Sequence, residues 1–329
     1  MKQHIEWLAV LRGLNILLVI IVHIQLIDMS TGECHSFCSA VSSPFHPIRM
    51  PLFIFVSGGL LYLSRIRKGI PIKALYKDKF QRIVIPFLFF VTIYYIIKVI
   101  FNQFAKTPTD FSFISFLKSF IYYRGQPSQP LWFLAVLMIL MLMYPLYCYL
   151  CERKQRMVYF LLFCSAIYFI DTNLESPWNV FYIMELQHYL IFFFFGIFFF
   201  KYELYRYLCH VFVIPVLLIL YSVGYYYSIP LFTSIIGIAL MCSLCMKISK
   251  FFPNLFISFR EYIFPIYLMS LPLQTFVELI LWKHLFYNEQ LFIVFYALNL
   301  LFGLYIPVVI SKVMERNPIR FIRLCFGLQ

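Results

Sequence analysis

Apolar blocks too long and too frequent for a water-soluble domain dominate this chain and fix its class. A helix needs about 20 largely apolar residues to cross a bilayer. Such stretches recur from "WLAVLRGLNILLVIIVHIQLI" near the N-terminus to "LFIVFYALNLLFGLYIPVVIS" near the C-terminus. None shows the alternation of a membrane β-barrel strand. Hydrophobic residues make up 63% of the chain, against about 45–50% in soluble proteins. The expectation is an all-α polytopic membrane bundle of about ten helices, at Trp7–Ile27, Arg49–Leu63, Ile83–Phe101, Pro130–Leu150, Met157–Ile170, Leu186–Phe200, Leu208–Gly224, Leu231–Met246, Tyr262–Trp282 and Leu291–Ser311.

Charge orients these blocks. With a cytoplasmic N-terminus, the inner segments gather twenty of the 27 basic residues, and both ends lie inside. The formal charge of +13 is therefore mostly a topology signal, and nucleic acid is not expected as a partner. The segment Arg65–Arg82 goes further: seven cations surround a single acid, Asp78. Lipid headgroups explain such a loop, and so does an anionic cosubstrate.

One domain over residues 1–329 is expected, because no linker or composition shift divides the chain and no soluble domain is appended. The first apolar run spans without a cleavage site after it, so it reads as a retained helix. Nine scattered cysteines make no disulfide framework. Cys34 and Cys38, in a predicted outer loop, leave a bridge open. The pairs Cys148/Cys151 and Cys242/Cys245 read as apolar helix residues rather than zinc ligands, and Glu185 with His188 supplies too few ligands for a metal, so none is expected.

The polar residues inside the blocks carry more information. Arg12 and His23 are eleven residues apart, three helical turns plus about 20°, so they share a face and lie roughly 16 Å apart along the axis. Asn15 lies on that face too. Charged and ionisable groups inside a membrane face the bundle interior or a water-filled cavity. Taken alone, Arg12 reads equally as snorkelling to headgroups and His23 as a packed core histidine; their shared face favours a functional stripe. Arg49 opens the second span, Ser57-Gly58-Gly59 offers small residues for close helix packing, and Trp132 opens the fourth span as an interfacial anchor.

Four stretches in order, "WLAVLRGLNILLVIIVHI", "RMPLFIFVSGGLLY", "KFQRIVIPFLFF" and "PLWFL", make the chain resemble the acyltransferase-3 family of membrane acyltransferases. The resemblance implies transfer of an acyl group, acetyl or succinyl, from cytoplasmic acyl-CoA to a hydroxyl of a glycan or lipid-linked sugar. It casts Arg12 and His23 as the catalytic pair. Lys79 and Arg82, with Arg12, become binding determinants for acyl-CoA. Beside that resemblance, Arg49, Asn15, Ser57 and Trp132 are the candidates for binding the acceptor. The plasma membrane is the expected location, with lipids and glycan-biosynthesis proteins as neighbours. Three positions depart from the family pattern: Ala9, Pro130, and Ser270 at the end of Tyr267-Leu268-Met269. A polysaccharide exporter or a noncatalytic assembly subunit would use the same polar stripe or aromatic surface without consuming acyl-CoA.

Overall fold

Helix is the only regular structure in the computed structural model among the described residues, which are 3–29, 31–104, 108–122, 126–170, 182–210 and 212–328. An isolated bridge joins Ile27 and Cys34. In chain order the helices are α1 Gln3–His23, α2 Ser36–Ser42, α3 His46–Leu61, α4 Ile72–Lys79, α5 Ile85–Ile100, α6 Phe113–Ile121, α7 Trp132–Leu142 and α8 Tyr144–Cys151. They continue with α9 Lys154–Tyr168, α10 Ile183–Lys201, α11 Val213–Tyr226, α12 Pro230–Phe251, α13 Ile263–Phe276, α14 Phe292–Glu315 and α15 Arg320–Cys325. Wider π turns extend α3 through Tyr62–Ile66, join α4 to α5 through Phe80–Val84, and extend α13 through Val277–Leu285. The cations Lys2, Lys106 and Arg124 used in the orientation argument lie outside the described residues.

All ten apolar blocks are helical, but fewer are long enough to cross a membrane. Among the described residues seven are: Glu6–His23, Ser36–Ile66, Ile72–Ile100, Ile183–Lys201, Pro230–Phe251, Ile263–Leu285 and Glu289–Glu315. The pair Gln129–Leu142 and Tyr144–Cys151, bent by 53°, makes an eighth if it counts as one span. The other two blocks form only α9, of 15 residues, and α11, of 14, short of the roughly 20 that a crossing needs. The first block also ends early: α1 stops at His23, and the four residues to Ile27 leave the helix. The third begins early, because the charged α4 runs into α5 without a loop.

Contacts divide the chain into two compact units, Met1–Ser57 with Phe199–Lys312, and Gly58–Phe198 with Val313–Gln329. In the first, α1 packs on α12 and α13, and α11 packs on α12. Nearly every apolar residue of α1 from Trp7 to Val22 is buried or half-buried, as expected of a helix that is hydrophobic all round. Trp7 stacks on Phe200 at 5.9 Å with ring planes 6° apart. A Cβ on Gly237 of α12 would lie 2.6 Å from the Ile48 side chain, so only glycine permits that approach.

In the second unit, α15 packs on α5, with Phe326 against Phe89 and Phe90. Tyr147 of α8 lies against Phe193 and Phe194 of α10. The bend between α7 and α8 has a local cause: Pro145 has no N–H, and its ring disfavours a straight helix through the preceding turn. The Leu142 carbonyl at the bend accepts a hydrogen bond from Tyr76 Oη at 2.8 Å, and Tyr144 Oη donates to the Ile70 carbonyl at 2.7 Å. Two tyrosines thus tie the basic segment to the broken helix.

Candidate functional site

The site is built on α1 and on the first turns of α3, both in the first unit. Pro51, inside α3, lacks an N–H to give to Pro47 four residues earlier. The Pro47 carbonyl is taken instead by Ser234 Oγ of α12 at 2.7 Å, and Tyr221 Oη donates to the Pro44 carbonyl. Side chains of α11 and α12 therefore anchor the segment that carries His46 and Arg49.

Asn15, buried in the middle of α1, joins the same segment from the other side. With its amide oriented to suit its neighbours, its NH₂ donates to the Arg49 carbonyl at 3.0 Å and its oxygen accepts from the Phe53 N–H at 3.2 Å. Those two backbone groups are one helical turn apart, so the amide bridges the turn that bears Arg49. Asn15 is a joint between α1 and α3. Ser57 donates within its own helix, to the Phe53 carbonyl at 2.9 Å.

Arg12 and His23 are both half-buried, and α1 runs unbroken between them. Among the described residues no carboxylate forms an ion pair with Arg12. Beside it, Gly13 admits Phe256, whose Cβ would sit 2.7 Å from a Cβ at position 13. At the other end, Arg49 and His46 lie within electrostatic range of His23. His46 was not among the candidate residues read from the sequence. Its only mark there is the His46-x-x-Arg49 spacing, which places both on one face of α3.

The remaining candidates lie in the second unit. Asp78 is shared by two arginines, Arg65 at 2.8 Å and Arg82 at 2.7 Å. Lys79 follows at the end of α4, half-buried, and Leu75 on the same helix is fully buried. Trp132 packs on Tyr189 with ring centroids 4.9 Å apart, which ties α7 to α10. His188 lies against Tyr168 at 4.2 Å, an aromatic contact. Cys34 and Cys38 are free thiols, with Cys38 buried among Ile24, Leu26 and Trp282. Among the described residues no three His, Cys, Asp or Glu side chains gather as metal ligands.

A further group lies beside the end of α1. Gln274 and Glu278 reach this part of the chain with their side chains, and Asn299 bonds Glu278 behind them. The acid inside the apolar run "TFVELILW" is the one sign of them in the sequence; their partners are mostly backbone atoms, which no motif records.

A family model described as an acyltransferase domain matches residues 5–312. The chain belongs to the acyltransferase-3 family. The match covers the stretches holding Arg12, His23, Arg49, Lys79, Arg82 and Trp132, and extends through α14 almost to its end. No curated protein and no solved structure matches the chain. Members of the acyltransferase-3 family are acyltransferases, and this chain is a multi-pass membrane acyltransferase that transfers groups other than aminoacyl groups. Where this member departs from the pattern at Ser270, the side chain is buried in α13.

Proposed function

We propose that this acyltransferase takes an acyl group, acetyl before succinyl, from cytoplasmic acyl-CoA and places it on a hydroxyl of an envelope or exported glycan, at the plasma membrane. The observation that carries the reading is the polar face of α1, where a half-buried arginine and histidine are held in an apolar helix within the family match. A thioester is already activated, so the protein's work is to take a proton, steady the developing oxyanion and hold a charged donor near the bilayer. His23 as neutral imidazole takes the acceptor's hydroxyl proton while that oxygen bonds to the thioester carbon. The C–S bond then breaks, and the CoA thiolate receives a proton. A route through an acyl-histidine uses the same residue as nucleophile.

The other candidates divide the binding. Arg12, Lys79 and Arg82 meet phosphates or the thioester oxygen; a planar guanidinium suits both. Arg49, braced through its backbone by Asn15, serves the acceptor side with Ser57 and Trp132. Purified protein supplied with acetyl-CoA and glycan-bearing membranes should release CoA thiol and acylate the glycan, read by mass spectrometry. Glycan export without thiol release would favour a transporter.

Two predictions test the donor side. Arg82→Ala should leave the fold intact, because Asp78 keeps Arg65. A charged contact to phosphate is worth about 1.5–3 kcal/mol, so the KM for acetyl-CoA should rise at least tenfold, and its dependence on salt should flatten. Unchanged KM would remove Arg82 from the donor site. For topology, a single cysteine at Lys73 in a cysteine-free variant should resist membrane-impermeant maleimide in intact cells and react after permeabilisation. Efficient labelling from outside would reverse the orientation.

A further inference from the structure

His23 is the last residue of α1, and a helix end frays unless something holds it. Past it the chain turns out of the helix, with the Ile24 N–H closing back on the Ile21 carbonyl at 3.2 Å. The backbone groups around such an end have no helical partner. Here three side chains at four-residue intervals along α13 and its π extension take them. Gln274 Nε2 donates to the Ile20 carbonyl at 3.0 Å, Glu278 Oε1 accepts from the Gln25 N–H at 2.7 Å, and Trp282 Nε1 donates to the Ile27 carbonyl at 2.8 Å. One bond falls three residues before His23, the second two residues after it, and the third four residues after it.

The ladder is braced from behind. Asn299 of α14, fully buried, donates to Glu278 Oε1 at 3.1 Å and to the Gln274 carbonyl at 3.4 Å. One turn further, Gly303 brings α14 against both partners: a Cβ there would lie 3.0 Å from Ile20 Cγ2 and 3.1 Å from the Gln274 side chain. The arrangement is not optimised for hydrogen bonding alone. The buried oxygens Gln274 Oε1 and Asn299 Oδ1 have no partner among the described residues, a condition that disfavours keeping polar side chains where apolar ones would pack. What the side chains do provide is a fixed backbone on both sides of the histidine.

We infer that Gln274, Glu278 and Asn299 are positioning residues that hold His23 in register for acyl transfer. The inference rests on the reading of His23 as the group that acts on the acceptor hydroxyl. A displacement of about 1 Å in a reacting group can lower turnover about a hundredfold, so slackening either flank of His23 acts on kcat and leaves donor binding alone.

The test uses the full chain in membrane vesicles with radiolabelled acetyl-CoA, together with the rate at which diethyl pyrocarbonate modifies His23, followed by peptide mass spectrometry. Gln274→Met and Glu278→Leu should each lower kcat by 10- to 100-fold with an unchanged KM for acetyl-CoA, and should change His23 modification at least threefold. Glu278→Gln keeps an acceptor oxygen for the Gln25 N–H and should recover most of the turnover lost in Glu278→Leu. It also supplies the milder variant if the leucine protein does not accumulate. Unchanged kcat and unchanged His23 modification in Gln274→Met and Glu278→Leu, or in Gln274→Met alone where the leucine protein does not accumulate, would overturn the inference and leave a packing cluster. If the unaltered chain transfers no acetyl group, the assignment of acetyl-CoA as donor fails by itself. His23 modification then still judges the ladder, a change supporting it and no change refuting it.

Discussion

His23→Ala will insert and fold, retain its affinity for acetyl-CoA, and lose glycan acylation by about 10²–10⁴-fold, the usual effect of removing a general base. The expectation comes from where His23 sits. It is the last residue of α1 and retains some exposure, so shortening its side chain leaves the helix before it intact. His23→Gln, which keeps size and polarity without a basic nitrogen, should be as inactive as the alanine variant. Arg12→Lys separates two readings of the other end of the helix: a lysine also snorkels, but it lacks the planar fork. A tenfold or larger loss with lysine therefore points to a directed contact. Full glycan acylation by His23→Ala, in cells and with purified protein, would end the catalytic assignment.

Gly58→Ala will be among the most destabilising single-methyl additions in the chain. A Cβ at position 58 would stand 2.0 Å from the Phe193 carbonyl oxygen and 2.9 Å from its carbon, so α3 and α10 touch backbone to backbone in the second unit. No rotamer relieves a clash with main chain. Overpacking typically costs about 1–3 kcal/mol, and here two helices must separate before the methyl fits. The variant should melt many degrees lower in detergent, and Gly58→Val should scarcely accumulate. Ser57→Ala, next door, removes only a hydroxyl bonded back to Phe53 in its own helix and should melt within a few degrees of the parent. Equal melting of Gly58→Ala and the parent would mean that the two helices are not in backbone contact.

The sequence made the helical class and the placement of most helices legible, because bilayer thickness imposes a length on apolar runs that composition records directly. It hid the breaks. "MLMYPLY" is apolar throughout, with Pro145 its sole mark, yet the helix bends there by 53°. The opposite error fell at α4, whose charged residues conceal a helix continuous with α5. At the site, the shared face of Arg12 and His23 followed from helical periodicity alone. Asn15 read as a third member of that face, and its attachment to the Arg49–Phe53 turn was invisible because its partners are backbone atoms. Gln274 and Glu278 escaped for the same reason, because what they bind is the end of a helix, which has no side-chain signature, and Asn299 escaped with them because it braces those two.

The bend between α7 and α8 also bears on how the protein is made. A carbonyl left without a donor where water is excluded is unfavourable by roughly 1–3 kcal/mol, so the broken helix is complete only once Leu142 has its donor. That donor, Tyr76, lies 66 residues nearer the N-terminus and so leaves the ribosome first. The acceptor emerges into a membrane where its partner has already been delivered. The order of synthesis thus matches the order of need, and a circular permutant that placed α7 ahead of α4 would leave that carbonyl without its donor until α4 followed.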